Sequence, residues 1–344
     1  MVRCVLRATG LIGAFLWLTA GIGNAEPLQL KLATFGPPQS YFYVEVLIPW
    51  MEAVNRDAHG AVNITYVGGG LLGNAGNMYD AVVSGAADIG WALPGVMPGK
   101  FIKTSVVELP FGYDTGEIGS VALWRIYAKG LIASDYNEVK LFGMTAWPGA
   151  DIQTKSKKIE RIEDLKGLKI RATGRWQAAT VTAFGATPVS IPVDEVYQSF
   201  DRGVIDGLWA SLVLTREFRV DEIARYYLEA PLNGGSGVLI MKRESFDRLP
   251  ADARAAFEKN SGEALSRALG RSNDGEVRRV EALLADRAKQ GKSDPPYTLN
   301  GAEFERWRKT AEPLADAWAK GLPDGPAILA GFRAEVAALK SDSK

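Results

Sequence analysis

The sequence contains very few of the side chains on which metal sites and much of enzyme catalysis depend. Its 344 residues include one cysteine, Cys4, and one histidine, His59. This scarcity excludes Cys/His zinc sites, multi-histidine metal centres and thiol catalysis, and any serine–histidine chemistry would have to use His59. We therefore predict that the protein binds neither a metal nor a cofactor.

The sequence also lacks a surplus of charge of either sign. It has 40 basic and 40 acidic residues. Proteins that bind nucleic acids or anionic membrane surfaces carry a basic surplus, so neither is an expected partner. Hydrophobic residues make up 47% of the chain, which is enough for the cores of about two domains.

Long apolar runs are absent except near the start of the chain. Arg3 and Arg7 precede an apolar run over residues 11–22, and small residues follow at 23–25. The run has 12 residues, too few to span a hydrocarbon core of about 30 Å, which makes a permanent membrane anchor the less favoured alternative. The pattern predicts a signal peptide over residues 1–25, cleaved after Ala25, and an exported protein.

Segments typical of strands and helices alternate through most of the remaining chain. Alternating apolar residues predict strands at 28–35, 62–66, 89–93, 139–145, 168–172, 187–191, 207–210 and 236–241. Apolar residues at helical spacing predict helices around 44–54, 78–83, 119–131, 176–184 and 194–202. This order predicts an α/β fold with largely parallel strands.

The pattern changes after Pro250. Residues 251–290 are rich in Ala, Glu, Arg and Leu and contain no proline, which predicts one long helix or two joined helices. Two further amphipathic helices are predicted around 304–318 and 329–339. Because no linker is visible between the two expected domains, we expect the chain to cross between them more than once.

A glycine-rich segment at 68–73, Gly-Gly-Gly-Leu-Leu-Gly, matches the dinucleotide-binding fingerprint, and Asp88 lies 20 residues beyond Gly68. The acidic residue of that motif belongs at the carboxyl end of a strand, whereas Asp88 comes just before one. The favoured interpretation is a tight turn with close backbone packing. An enzyme that combines this turn with His59 is the less favoured alternative.

Arg171 ends a predicted strand, and in open α/β sheets the carboxyl ends of the strands face the ligand crevice. Its guanidinium could hold a carboxylate with two parallel hydrogen bonds, which a lysine could not do with the same geometry. Arg171 is therefore a candidate for binding an organic acid, although a surface position remains the alternative for an isolated arginine.

Several segments are similar, in order, to one transporter family. Residues 163–171 (Glu-Asp-Leu-Lys-Gly-Leu-Lys-Ile-Arg), 184–192 and 195–207 carry the strongest similarity, and residues 69–73, 84–89 and 109–111 (Leu-Pro-Phe) add to it. Together they resemble the solute-binding subunits of TRAP transporters, the tripartite ATP-independent periplasmic transporters.

The resemblance implies a periplasmic-binding-protein-like fold with two α/β lobes, crossing strands, a long helix spanning the hinge and a ligand cleft between the lobes. The first lobe would comprise residues 26–147 and 236–273, and the second, with the C-terminal helices, 148–235 and 274–344. It also implies a periplasmic protein, expected to be a monomer, that closes on an organic acid without catalysis and delivers it to the small and large permease subunits. Arg171 would form the salt bridge to the solute carboxylate. An exported sensory ligand-binding protein is the alternative that shares the pocket.

The chain departs from family members that bind sialic acid. Asp151 stands where those members have a second arginine, Val193 replaces a phenylalanine, and Leu208-Trp209-Ala210-Ser211 replaces Gln-Glu-Asn-Pro. The departures and the aromatic residues near the expected crevice favour a monocarboxylate with an apolar or aromatic body. Asp151 near the pocket would repel a second carboxylate. The predicted site residues are Arg171, Trp209, Trp147, Trp91, Phe35, Asp151, Trp176, Ser211 and Val193, with Tyr41 also at the crevice edge.

Overall fold

Two β-sheets organise the chain in the computed structural model, which describes residues 26–97, 99–232 and 234–342. The predicted signal peptide, residues 1–25, lies outside the described residues. We call each sheet, together with the helices that pack on it, a lobe. The α/β class predicted from the sequence is confirmed.

The sheet of the first lobe has the strand order β2-β1-β3-β10-β4. Its strands are β1 (Leu28–Ala33), β2 (Val62–Val67), β3 (Ile89–Ala92), β4 (Val139–Ala146) and β10 (Ser236–Lys242). β1 runs parallel to β2 and β3, as the alternation of strands and helices predicts. β10 runs antiparallel to β3 and β4 because the chain re-enters this sheet from the other lobe.

The sheet of the second lobe has the order β11-β9-β5-β8-β6-β7. Its strands are β5 (Ala150–Thr154), β6 (Lys169–Arg171), β7 (Thr187–Val189), β8 (Gly207–Ser211), β9 (Tyr226–Leu232) and β11 (Tyr297–Thr298). β6 runs parallel to β7 and β8, whereas β5 runs antiparallel to β8 and β9. The sequence did not predict β5, β9 or β11.

Eleven α-helices surround the sheets in the described part of the chain. They are α1 (Ile48–Asp57), α2 (Met78–Ser84), α3 (Gly116–Ala128), α4 (Arg175–Ala183), α5 (Val196–Asp201), α6 (Val213–Glu217), α7 (Arg243–Asp247), α8 (Ala251–Lys259), α9 (Glu263–Lys289), α10 (Gly301–Lys320) and α11 (Gly325–Asp342). Gly262, with a φ of +90°, separates α8 from α9, and its N–H donates to the Phe142 carbonyl at 2.7 Å. None of these helices combines the length and the apolar character needed to cross a membrane.

In the described part of the chain, three segments connect the lobes before α10, which is a fourth connection. The chain crosses from β4 to β5 and returns from β9 to β10, and the Trp147 N–H donates to the Gly235 carbonyl at 3.2 Å to join the two crossings. The 27-residue helix α9 is the third connection. Leu265 and Leu269 near its start are buried in a core of the first lobe, whereas Val280 and Leu284 are buried in a core of the second.

The C-terminal helix lies on a different lobe from the one the sequence predicted. Residues 274–344 were expected in the second lobe, but Phe332 and Val336 of α11 are buried in a core of the first. α10 makes this transition, because Trp307 packs in a core of the second lobe and Trp318 in the core that contains α11. The apolar stripe of α11 thus covers α3 rather than the second sheet.

The packing of α11 predicts a large stability loss for Phe332→Ala. The side chain is buried against Tyr113, with the two ring centroids 6.2 Å apart. Truncation of a buried phenylalanine should lower the free energy of unfolding by about 3 to 5 kcal/mol, measured by chemical denaturation. Arg333→Ala, at the exposed neighbouring position, is the matched control and should stay within about 0.5 kcal/mol of wild type. Equal effects of the two variants would contradict this packing.

Candidate ligand-binding site

A cavity of about 120 Å³ lies between the lobes, and both contribute to its wall. Most of the large side chains in the wall are aromatic: Phe35, Tyr41, Phe42, Tyr43, Trp91, Trp147, Trp209 and Phe218. An enclosure of this composition is suited to a small, largely apolar molecule oriented by a few polar groups.

Several side chains of the cavity wall lie at the ends of strands or directly after them. Phe35 follows β1, Trp147 follows β4, Arg171 ends β6 and Ser211 ends β8. In α/β sheets the ligand crevice forms outside the carboxyl ends of the strands, and here the ends of both sheets meet at one cavity. The sequence order of strands and helices therefore determines where the site forms.

Trp91 occupies the wall from inside β3. It is buried, and its ring centroid lies 4.9 Å from that of Phe42. A Cβ atom on Gly237 of the paired strand β10 would overlap the indole ring. Glycine at position 237 therefore makes room for the largest side chain of this part of the wall.

The guanidinium of Arg171 is the positive group of the cavity wall. The residue is only 4% exposed, and its Nε donates to the Ile191 carbonyl at 3.1 Å. Within the described residues, the side chain of Arg171 makes no other hydrogen bond and has no carboxylate oxygen within 4.0 Å. Burial lowers its pKa to about 10, although the charge of Asp194 acts in the opposite direction. A buried cation without an ion-pair partner is costly, and a bound anion would remove that cost.

Two further hydrogen-bond donors in the wall have no partner in the described part of the protein. They are the indole Nε1 of Trp91 and the hydroxyl Oγ of Ser211, and both atoms are buried. A buried donor without an acceptor costs about 1 to 3 kcal/mol. A solute acceptor that reached either atom would remove that cost.

Two carboxyl groups that the sequence analysis missed also line the cavity, Glu108 from the first lobe and Glu217 from the second. Burial raises the pKa of each to about 7. Glu108 directly precedes the Leu-Pro-Phe motif at 109–111, which was the one sequence signal that could have identified it. Glu217 carries no comparable signal.

Seven of the nine predicted site residues line the cavity: Arg171, Trp209, Trp147, Trp91, Phe35, Ser211 and Val193, and Tyr41 lies there too. Asp151 and Trp176 do not. The Oδ1 of Asp151 accepts the Ala230 N–H of β9 at 3.3 Å, and burial raises the pKa of the Asp151 carboxyl well above its ordinary value. The expected repulsion between Asp151 and a second solute carboxylate therefore has no basis in this geometry.

Trp176 is in the first turn of α4 and packs against a core of the first lobe. The Arg175 guanidinium lies over its ring, 5.4 Å from the centroid. Its indole thus packs at the contact between the lobes and is not part of the cavity wall.

The groups of the enzyme alternative lie away from the cavity. His59 is exposed in the turn that follows α1, with a φ of +49°. In the glycine turn, the N–H groups of Gly69 and Gly70 donate to the carbonyls of Gly36 and Thr34 at 3.0 Å each. These amides are used within the fold, and the φ angles of +71° and +76° account for the two glycines.

Comparisons with known proteins agree with this architecture. A family model described as bacterial extracellular solute-binding protein, family 7 (DctP), matches residues 32–321. A TRAP periplasmic solute-binding protein from Bordetella bronchiseptica, solved with bound (R)-mandelate and (S)-mandelate, has a TM-score of 0.84 and 30% identity, covering 91% of this chain and 100% of that one. A TRAP solute-binding protein from Rhodoferax ferrireducens T118, in complex with copurified benzoate, has a TM-score of 0.85 and 26% identity, covering 92% and 100%.

A curated relative, the outer membrane transporter protein TsaT of Comamonas testosteroni, is 25% identical over 324 residues, which are 92% of this chain and 94% of that protein. The family model and the solved structures cover the same two-lobed fold and most of the chain. The chain therefore belongs to bacterial extracellular solute-binding protein family 7, the TRAP solute-binding proteins that its sequence motifs resemble.

Proposed function

We propose that this protein captures an aromatic monocarboxylate between its lobes. The observation that carries the proposal is the buried Arg171 guanidinium, which has no carboxylate partner in the described residues and lines an aromatic cavity. A solute carboxylate would pair with Arg171 and accept hydrogen bonds from Trp91 Nε1 and Ser211 Oγ. The structural relatives with bound benzoate and mandelate support this choice of solute class.

The size of the cavity limits the solute to no more than a single ring. An apolar protein cavity of about 150 Å³ accommodates benzene, and the cavity here measures about 120 Å³. The aromatic wall would bury the ring of the solute and supply stacking or edge contacts to it. A polyhydroxylated sugar acid would need more polar partners than this wall provides.

The charges of the wall favour one carboxylate over two. Arg171 is the only cation among the described residues that line the cavity, whereas Glu108 and Glu217 are both acidic. A second solute carboxylate would be desolvated beside these groups without a cation of its own. This argument replaces the one based on Asp151.

The wider role follows from the family. We propose that the signal peptide exports the protein to the periplasm, where solute binding shifts the population towards closed lobes. The closed form would deliver the solute, chemically unchanged, to the small and large membrane subunits of a TRAP permease. The two crossings and α9 provide the connections about which such a closure would occur.

A competition series tests the solute class. The protein beginning at Glu26 would be unfolded and refolded to remove copurified solute, then titrated by calorimetry with benzoate, mandelate, pyruvate and succinate. We expect the two aromatic acids to bind most tightly, because they satisfy Arg171 and fill the apolar cavity. Tightest binding of succinate would overturn the proposed solute class.

Substitution of Arg171 tests the proposed anchor. Arg171→Ala should weaken benzoate binding by at least about 30-fold, since breaking a buried charge-assisted pair costs roughly 2 to 5 kcal/mol. Arg171→Lys should also bind weakly, because an ammonium group cannot reproduce the planar fork of a guanidinium. The ligand-free melting temperature of Arg171→Ala should not fall, because this substitution removes an unpaired buried charge together with its desolvation cost. Arg175→Ala, at an exposed position four residues away, is the control and should bind normally. Near-wild-type affinity of Arg171→Ala would exclude it from the site.

A further inference from the structure

Glu108 reaches from the first lobe to the second. It ends a short 3₁₀ turn, Thr104–Glu108, whose neighbours Val107 and Leu109 are buried in a core of the first lobe. Its carboxyl lies between Gly95 of that lobe and Gly174, the N-cap of α4 in the second. A Cβ atom on Gly95 would come within 2.7 Å of its Oε1, and one on Gly174 would overlap the carboxyl. The two glycines therefore provide the space that this contact occupies.

Glu108 contacts the start of α4, whose N-cap residue, Gly174, has no side chain. The Oε2 of Glu108 is buried and has no hydrogen-bond partner among the described residues, although the backbone N–H of Trp176, in the first turn of α4, opposes the rise in the pKa of the carboxyl. The N–H groups of a first helical turn lack partners within the helix and carry a partial positive charge. Glu108 thus places a carboxyl group of one lobe beside the first turn of a helix of the other.

Glu217 makes the reciprocal contact. It ends α6, which follows β8 of the second lobe, and its Oε1 accepts a hydrogen bond from Ser40 Oγ of the first lobe at 2.7 Å. A Cβ atom on Gly36 would lie 3.1 Å from the same oxygen. The cavity is therefore bounded by two carboxyl groups, one from each lobe, and each contacts the opposite lobe.

We propose that Glu108 and Glu217 are a pair of latches that hold the lobes closed over the bound solute and take up protons as the lobes close. The proposal rests on the proposed function, because it concerns the closed state of the same site. Opening the lobes would separate each carboxyl from its contact and return it to water.

The surroundings of both groups favour the protonated form when the lobes are closed. Burial raises each pKa from 4.5 to about 7, and no cation pairs with either carboxyl in the described structure. A solute carboxylate in the same cavity adds a negative charge, which would raise both values further. Protonation thus favours the closed state fully below about pH 4.5, and this contribution is lost as pH rises to the closed-state pKa of about 7 and slightly beyond it.

Other ionisable groups lie near Glu108. Next to Glu108, burial raises the pKa of Tyr113 far above neutrality, and Arg175 of α4 is exposed. At the other end of the 3₁₀ turn, Lys103 pairs with Asp324, and Asp135 accepts a hydrogen bond from Thr104 Oγ1. Arg171 stays charged at neutral pH because its pKa is about 10.

The charged groups around Glu217 have opposite effects on its pKa. Glu276 of α9 raises the pKa of Glu217, and Arg216 lowers it. Glu276 is itself paired with Arg216 and Arg279, and Glu45 with Arg279. Burial raises the pKa values of Tyr41, Tyr43 and Tyr66 above 10. Glu108 and Glu217 are therefore the lining groups expected to titrate near neutrality.

Calorimetric titration with benzoate in buffers of different ionisation enthalpy tests the proton uptake. A carboxyl whose pKa rises from 4.5 to about 7 on closure takes up about half a proton at pH 7, so wild type should take up about one per solute bound. Between pH 6 and pH 8, affinity should fall about ten-fold for each latch. Glu108→Gln and Glu217→Gln should each remove about half of the uptake, and the double variant nearly all of it, with the affinity independent of pH.

Glu229→Gln is the matched control, since burial also raises the pKa of Glu229 but its side chain does not line the cavity. It should leave the proton uptake unchanged. Uptake that persists in the double glutamine variant, or absence of uptake in wild type that binds benzoate, would overturn the latch proposal while leaving the proposed function intact.

A measurement without solute separates the two proposals further. Small-angle scattering of the ligand-free protein should give a smaller radius of gyration at pH 6 than at pH 8, and the double variant Glu108→Gln/Glu217→Gln should be equally compact at both. If no aromatic acid binds at any pH, the proposed function fails, and this measurement still decides the latches. A wild-type radius that does not change with pH would contradict them.

Discussion

A buried guanidinium that has no ionic partner among the described residues is the constraint around which the site is built. Arg171 ends β6 inside a wall of aromatic rings, where water is largely excluded and electrostatic interactions are strong. Two acidic side chains line the same cavity, yet neither comes within salt-bridge distance of Arg171 among the described contacts. The fold therefore keeps a positive charge unpaired at considerable cost, and an anionic solute is the group that would compensate it.

The connections between the lobes bring the hinge and the binding site together at Trp147. The residue lies in the crossing between β4 and β5, and its ring forms part of the cavity wall. Its carbonyl accepts a hydrogen bond from Tyr113 Oη at 2.8 Å, and a Cβ atom on Gly234 of the other crossing would lie 3.0 Å from its Cβ. A solute that contacts the Trp147 ring thus contacts the segment that must adjust when the lobes move.

Much of the fold could be predicted because β1, β2, β6 and β8 follow the alternation of strands and helices. β5 escaped detection because all five of its residues, including Asp151 and Gln153, are buried, so no polar face alternates with an apolar one. β9 carries Glu229 and Pro231, which are unfavourable for a central strand. Arg171, Trp147 and Ser211 could be placed near the cavity because they end or follow strands. Glu217 could not, because its position depends on contacts between the lobes that no local pattern encodes, and for Glu108 the adjacent Leu-Pro-Phe motif was the one available signal.

A crystal structure of the protein with benzoate tests the central claim most directly. The account predicts the carboxylate within hydrogen-bond distance of the Nη atoms of Arg171, with Trp91 Nε1 and Ser211 Oγ as further donors and the ring against Trp147 and Trp209. Benzoate bound with its carboxylate away from Arg171, or outside the cavity between the lobes, would contradict it.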